Sequence, residues 1–233
     1  MTGTLINLVA VIVGSLLGVL LGHRFPERIR QTVVAGLGLF TFGLGIQMFL
    51  KTENVLVVLG SLLIGAILGE WWKIEDGLHS FGTWLEVKFM KGDNAGQAKF
   101  VRGFLTASLL FCIGPMAILG SIDAGLKGNY QILAVKSVLD GFASLAFASS
   151  LGIGVLFSIL PLLIWQGGIT LLAFQVQSIF TASMMNEMSA TGGLILMAIA
   201  IGSLLEIKPI RAGNFLPALA IAPLITFVLT LFK

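Results

Sequence analysis

Residues 131–180 form one nearly continuous apolar stretch of about 50 residues in which the only charged side chains are Lys136 and Asp140. A single helix of that length would run about 75 Å, more than twice the ~30 Å hydrocarbon core of a bilayer. The stretch is therefore expected to cross twice, turning between Gly152 and Pro161, where glycines and a proline punctuate it. The rest of the 233-residue chain is of the same kind: 57% of residues are hydrophobic and 11% charged, against ~25% charged in soluble domains. The mean hydropathy is +1.01. An all-α, polytopic transmembrane helix bundle is the fold class that follows, with residues 1–233 as a single integral membrane domain.

Apolar runs bounded by charge or turn residues place eight spans at about 3–22, 31–50, 54–72, 100–120, 131–155, 159–180, 187–205 and 213–232. With eight crossings, the loops around Arg24–Arg30, Lys73–Arg102 and Lys208–Arg211 share one side and carry ten Lys or Arg, while Lys51, Lys127 and Lys233 lie opposite. By the positive-inside rule the richer side is cytoplasmic, so both termini are expected outside, in a bacterial inner membrane. The net charge of +3 is thus a matter of topology, and no nucleic-acid partner is expected. The N-terminus has no basic n-region and no small-residue cleavage site, which predicts a retained first span. Cys112 is the only cysteine, so no intramolecular disulfide forms.

Residues 73–99 are the longest connection. Ile74, Leu78, Phe81, Leu85 and Phe89 recur at three- and four-residue spacing, with Glu75, Asp76, Glu86 and Lys88 between them and Trp71, Trp72 and Trp84 nearby. That pattern predicts an amphipathic helix in the cytoplasmic interface, either a gating element or a passive connector, followed by an exposed turn at Lys91–Gly96.

At an offset of 157, Gly36, Leu37, Leu39, Gly45, Lys51, Leu59, Leu62 and Ile64 recur as Gly193, Leu194, Leu196, Gly202, Lys208, Leu216, Leu219 and Ile221. On this basis residues 1–72 form a first helical repeat, 73–99 the interfacial helix and loop, 100–155 the central spans and 156–233 a second repeat. Spans 1–3 would then match spans 6–8 in inverted topology, a recurrent device of secondary transporters. The alternative is duplicated ancestry in a static bundle.

Ionisable side chains in mid-bilayer cost on the order of 2.5–3.5 kcal/mol each, so the few present are informative. Lys136 and Asp140 share a helical face and can neutralise each other; Lys136 can snorkel toward the span's start, whereas Asp140 lies about 13 Å in. Asp140 is read as a proton- or cation-responsive carboxylate, against a purely structural ion pair, with Ser137 beside it. A second cluster, Asn186, Glu187, Ser189 and Thr191 followed by Gly192-Gly193, suits either a hard-cation site on an unwound segment or a capped helix start. The third feature, Gly114-Pro115 with Gly120, predicts a kinked or broken helix. Gln166 beside Gly167-Gly168, and Asn214 with Pro217, are read either as pore-lining amides with a hinge or as helix contacts, with helix contact the leading reading for Gln166. Glycines at 14, 18, 22, 65 and 69 form small-residue faces suited to helix contacts within the chain or in a homodimer.

The strings Phe111–Ser121, Lys136–Gly141, Asn186–Met188 through Gly192-Gly193, and Asn214–Leu219 closely resemble the bacterial YqgA/YdfK family, domain of unknown function 554. The resemblance implies a small polytopic inner-membrane protein and leaves the mechanism to the residues. Family members usually have a threonine after the Glu-x pair and an amide near Ser203. Here Ser189 and Gly202-Ser203 stand instead, which weakens a ligand role at the second position.

The leading expectation is a transporter or permease for an ion or small solute, proton- or cation-coupled, with no cofactor and no metal identified. A channel-like pore and a scaffold or sensor packed against another membrane protein are the alternatives. No enzyme is expected: Asp140 lacks a second intramembrane aspartate, His23 and His79 lie at or beyond span ends, and no Walker-type glycine-lysine loop is present.

Overall fold

The structure, a computed structural model, describes residues 1–22, 24, 26–89, 94–175 and 180–231. It is about 87% helical, with no strand among the described residues. The helices are α1 (Thr2–Gly22), α2 (Glu27–Phe49), α3 (Val55–Trp71), α4 (Ile74–Phe89), α5 (Asn94–Cys112), α6 (Pro115–Lys127) and α7 (Gln131–Leu151). Then come three composite helices, α8 (Ile153–Leu171), α9 (Ala182–Leu204) and α10 (Ala212–Leu231). Six helices are each long and apolar enough to cross a membrane. The count rises to eight if each of two bent pairs, α3 with α4 (56°) and α5 with α6 (58°), is one span.

Two compact units are built from interleaved parts of the chain: Met1–Leu37 with His79–Ser178, and Gly38–Leu78 with Ile179–Lys233. In the first, α1 and α7 run parallel in close contact. The buried positions of α1 (Gly3, Thr4, Asn7, Val11, Gly14, Ser15, Gly18 and Gly22) are mostly small or polar, while Leu5, Val9, Leu16 and Leu20 are exposed. A water-soluble helix would show the reverse; lipid as solvent leaves the leucines outside and selects small residues for packing. A Cβ added at Gly14, Gly18 or Gly22 would stand 2.2–2.3 Å from the carbonyl oxygens of Gly141, Leu145 and Ser149 respectively. The glycine face of α1 is thus occupied within the chain. Arg30 of α2 donates to the Gly22 carbonyl at the end of α1, where helix carbonyls lack partners.

The turn between the fifth and sixth spans lies at Gly152, with φ +82°, a left-handed conformation that costs glycine nothing. Pro161 is not part of it. The chain re-enters helix at once through a 3-10 segment, Ile153–Ser158, and Pro161 sits in the following α-helical turn. The expected spans 131–155 and 159–180 therefore shift to Gln131–Leu151 and Ile153–Leu171. Likewise the single fourth span is two helices. Gly114 is extended at their junction and Pro115 opens α6, where its missing N–H costs no hydrogen bond.

In α4, Gly82 and Leu85 pack on Val101 and Phe104 of α5. Phe81, expected on the same apolar face, is exposed and stacks on Trp84 at 5.8 Å. Glu86, expected among the solvated residues, is buried at 4% exposure, because the stripe through Gly82 and Leu85 also carries position 86. The Lys91–Gly96 turn falls partly outside the described residues; from Asn94 the chain is already helical. His23 and Lys233 also lie outside them.

The second unit packs α3 antiparallel to α10 and the later half of α2 antiparallel to α9. A Cβ at Gly65 or Gly69 would collide with Ala218 or Asn214, and Gly45 and Gly193 meet each other's backbone closely. Gly192 and Gly193, expected as a broken-helix point, lie inside the continuous α-helix Ala182–Ile199. Gly193 is there for the close approach of α2, which a side chain would block.

Candidate functional site

In the first unit the helical period of α7 turns Leu133, Lys136, Ser137, Asp140 and Ser144 inward and leaves Val135, Val138, Leu139 and Phe142 exposed. Both charges of the apolar stretch 131–180 are thereby removed from lipid. Lys136 Nζ donates to Asp140 Oδ2, and it also lies 5.9 Å from the centre of the Phe111 ring, on the α5 side of the helix break. Ser137 donates to the Leu133 carbonyl, a local bond that ties it to its own helix.

Asn7, on α1, completes the site. Its Nδ2 donates to Asp140 Oδ2 at 2.9 Å and to Gln166 Oε1 at 3.1 Å. Gln166 is fully buried on a π-helical segment, Leu163–Gly167. Such segments are rare and concentrate at functional sites, because the extra residue per turn re-aims a side chain. One turn away, Thr170 Oγ1 donates to the Gln166 carbonyl at 2.8 Å and meets Thr4 Oγ1 at 3.4 Å. Asn7, Lys136, Asp140 and Gln166 thus form one continuous network from three helices. Two of its atoms, Asn7 Oδ1 and Gln166 Nε2, have no hydrogen-bond partner among the described residues.

The second unit holds the other sequence candidates in a different arrangement. Glu187, at 1% exposure, accepts from the backbone amides of Glu53 and Asn54 at 2.7 and 2.9 Å and from Thr52 Oγ1 at 2.7 Å. These groups lead into α3, whose first turn Asn54 caps through Leu56. The carboxylate thus satisfies donors at a helix N-terminus, where negative charge is also favoured by the dipole. Asn186 and Ser183 donate to the Glu53 carboxylate at 2.7 and 2.8 Å, outside the buried region. Thr191 donates to the Glu187 carbonyl, and the Ser189 hydroxyl is buried with no partner among the described residues.

Asn214 ends up at the opposite end of α3. Its Oδ1 accepts from the Glu75 amide at 2.8 Å and its Nδ2 donates to Glu70, so it joins the last turn of α3 to the first of α4. Glu75 accepts in turn from the Gly213 amide at 2.6 Å, and Arg211 pairs with Glu70 at 2.9 Å. Pro217 immediately precedes the α-helical part of α10, and Gly120 packs on Leu133 inside α6. Among the described residues no group of three or more His, Cys, Asp or Glu is assembled for a metal.

The candidates of sequence thus fall into separate places: Lys136, Asp140 and Gln166 together, Asn186–Thr191 around Glu187, and Asn214 at the α3–α4 bend. Asn7 is not among the sequence candidates, although it is the one amide in an apolar first span and shares the 4, 7, 11, 14, 18 face with the glycines.

No solved structure matches the chain. A family model described as "Protein of unknown function (DUF554)" matches residues 2–227. The chain is 35% identical to the "Uncharacterized protein YqgA" of Escherichia coli (strain K12) over 221 residues, 94% of each chain. It is 32% identical to the "Uncharacterized membrane protein YdfK" of Bacillus subtilis (strain 168), covering 100% of this chain and 98% of that one. With its apolar helices and this likeness along its whole length, the chain is a membrane protein and belongs to the DUF554 family.

Proposed function

We propose that the protein is a secondary transporter or permease that moves an ion or small solute across the bacterial inner membrane, without enzymatic chemistry or a cofactor. The observation that carries this reading is the buried network of Asn7, Lys136, Asp140 and Gln166. Burying a charge pair costs several kcal/mol per ion before its attraction is counted, and apolar residues of similar volume often serve stability as well or better. In a bundle this rich in leucine, a charge pair held at mid-helix with two amides calls for a role beyond packing.

Two further features support the reading. Phe111, against Lys136, is three residues ahead of the α5–α6 break, and broken helices bring backbone donors and acceptors to the depth where transporters hold substrate. Shifted by the 157-residue offset, α2 and α3 fall on α9 and α10, and α2 and α9 run antiparallel as an inverted pair requires. In the same reading the Lys- and Arg-rich loops face the cytoplasm and both termini lie outside.

The test is flux. Purified protein in proteoliposomes is assayed with a panel of ions and small metabolites, with and without a proton gradient. Uptake or exchange above empty vesicles, abolished by Asp140→Asn in protein that still folds, is the expected result. No flux of any species under either condition overturns the reading.

A further inference from the structure

The network in the first unit has a fixed polarity. Asp140 as a carboxylate only accepts, and it takes hydrogen bonds from Lys136 Nζ and Asn7 Nδ2 on one oxygen. This orients the Asn7 amide with its nitrogen toward α7, and the second hydrogen of that nitrogen goes to Gln166 Oε1. The Gln166 amide is oriented in turn, with its carbonyl toward Asn7. An Asn or Gln flip is ordinarily ambiguous, but here the carboxylate sets the first amide and the first sets the second. What remains on the two amides is one acceptor, Asn7 Oδ1, and one donor, Gln166 Nε2, on fully buried side chains with no partner among the described residues. Each buried polar group left unpaired costs about 1–3 kcal/mol.

We propose that Asn7 Oδ1 and Gln166 Nε2 form a binding site for a small uncharged solute that carries a hydrogen-bond donor and an acceptor on two atoms bonded to one carbon, a carboxamide being the simplest. This rests on the transport reading and narrows its cargo. Lys136 cancels the charge of Asp140, so the network offers no net charge to an ion. A hard cation needs several oxygens at once, whereas the network leaves the Asn7 amide oxygen and the second oxygen of a carboxylate that Lys136 already neutralises, and an anion meets an ammonium already paired with Asp140. A carboxamide satisfies both: its N–H donates to Asn7 Oδ1 while its carbonyl accepts from Gln166 Nε2. Gln166 is mounted for this on the π-helical turn next to Gly167 and Gly168. In this scheme Lys136 and Asp140 are positioning residues, holding the Asn7 amide in the orientation that leaves its oxygen unpaired.

The experiment titrates acetamide against the full chain in detergent, following thermal unfolding and heat of binding, with NaCl and KCl as comparison probes. Saturable stabilisation by acetamide, absent with the salts and weakened at least tenfold in Gln166→Met, is expected. Gln166→Glu keeps the acceptor for Asn7 and removes the donor, so it should weaken acetamide equally. If Gln166→Met does not fold, Gln166→Glu and the wild-type titration decide. An absent acetamide response in the wild type, an unaltered one in the folded variants, or saturable stabilisation by Na⁺ or K⁺ that Asp140→Asn removes overturns the inference. Acetamide binding without flux of acetamide or of any other species in proteoliposomes overturns the transport reading and leaves the site standing. Cation flux without acetamide binding does the opposite.

Discussion

Asn7 on α1 and Asp140 on α7 are 133 positions apart in the chain and joined by a buried hydrogen bond of 2.9 Å. The contact is made where α1 and α7 run parallel with glycines between them, so a polar bond and a small-residue seam hold the same helix pair. The bond also carries information along the network: the carboxylate orients the amide of Asn7, and Asn7 orients that of Gln166.

Removing one partner of the charge pair should cost far more than removing both. Asp140→Asn leaves the Lys136 ammonium buried without an anion, a loss of about 3–5 kcal/mol. In Lys136→Met/Asp140→Leu that penalty disappears, and what remains is the one Asn7 N–H that loses its acceptor, about 1–3 kcal/mol. Thermal unfolding in detergent, followed by maleimide capture of the single cysteine Cys112, measures both. A double variant less stable than Asp140→Asn would show that the pair stabilises beyond mutual neutralisation.

Asn7→Leu tests the amide relay. It strips Asp140 of one donor and leaves Gln166 Oε1 without its hydrogen bond, so the expected loss is about 2–4 kcal/mol from two weakened acceptors. Asn7→Asp should be worse than Asn7→Leu, since it sets a second carboxylate against Asp140 inside the bundle. The ranking of the two midpoints in the Cys112 assay decides it; equal midpoints would mean that the Asn7 side chain is not facing Asp140.

The fold class was legible because lipid demands long apolar runs, and those are visible in any window of the chain. Lys136 and Asp140 stood out for the same reason, as charges with no place in lipid. Span ends were less visible: Pro161 was a stronger written signal than Gly152, yet the turn depends on a positive φ that only the folded backbone reveals. Glu187 read equally well as a cation ligand or a helix-start residue, because the amides it accepts from are more than 130 residues away. Asn7 was missed because a lone amide in an apolar span has no local pattern; its meaning comes from two other helices.

The glycine seam gives a contrast within one residue type. Gly18→Leu places its Cβ 2.3 Å from the Leu145 carbonyl, so α1 must separate from α7 and the protein should fail to accumulate folded. For that reason Gly18→Leu cannot serve as a probe of a homodimer face. At Gly36 and Gly43 of α2 an added Cβ meets nothing within 4 Å. Gly36→Ala and Gly43→Ala should therefore leave stability unchanged or raise it by about 0.5–1 kcal/mol, through the lower entropy cost of alanine in a helix. Size-exclusion profiles and Cys112 midpoints distinguish these outcomes.

Glu187 offers the sharpest separation of a structural carboxylate from a transport carboxylate. Its Oε1 accepts two backbone amides and its Oε2 accepts the Thr52 hydroxyl. Glu187→Gln keeps a carbonyl oxygen for the amides and loses the charge and the second acceptor, for a cost of about 1–2 kcal/mol. Glu187→Leu leaves three donors without their acceptor and should cost about 3 kcal/mol or more, with the start of α3 fraying. Hydrogen exchange should locate the damage: the amides of Glu53 and Asn54 lose protection modestly in Glu187→Gln and strongly in Glu187→Leu, while those around Asn7 and Asp140 are unchanged. If flux is found, Glu187→Gln should retain it and Asp140→Asn should not. Protection at Glu53 and Asn54 that survives in Glu187→Leu would mean that these amides have another partner and that the carboxylate is not their cap.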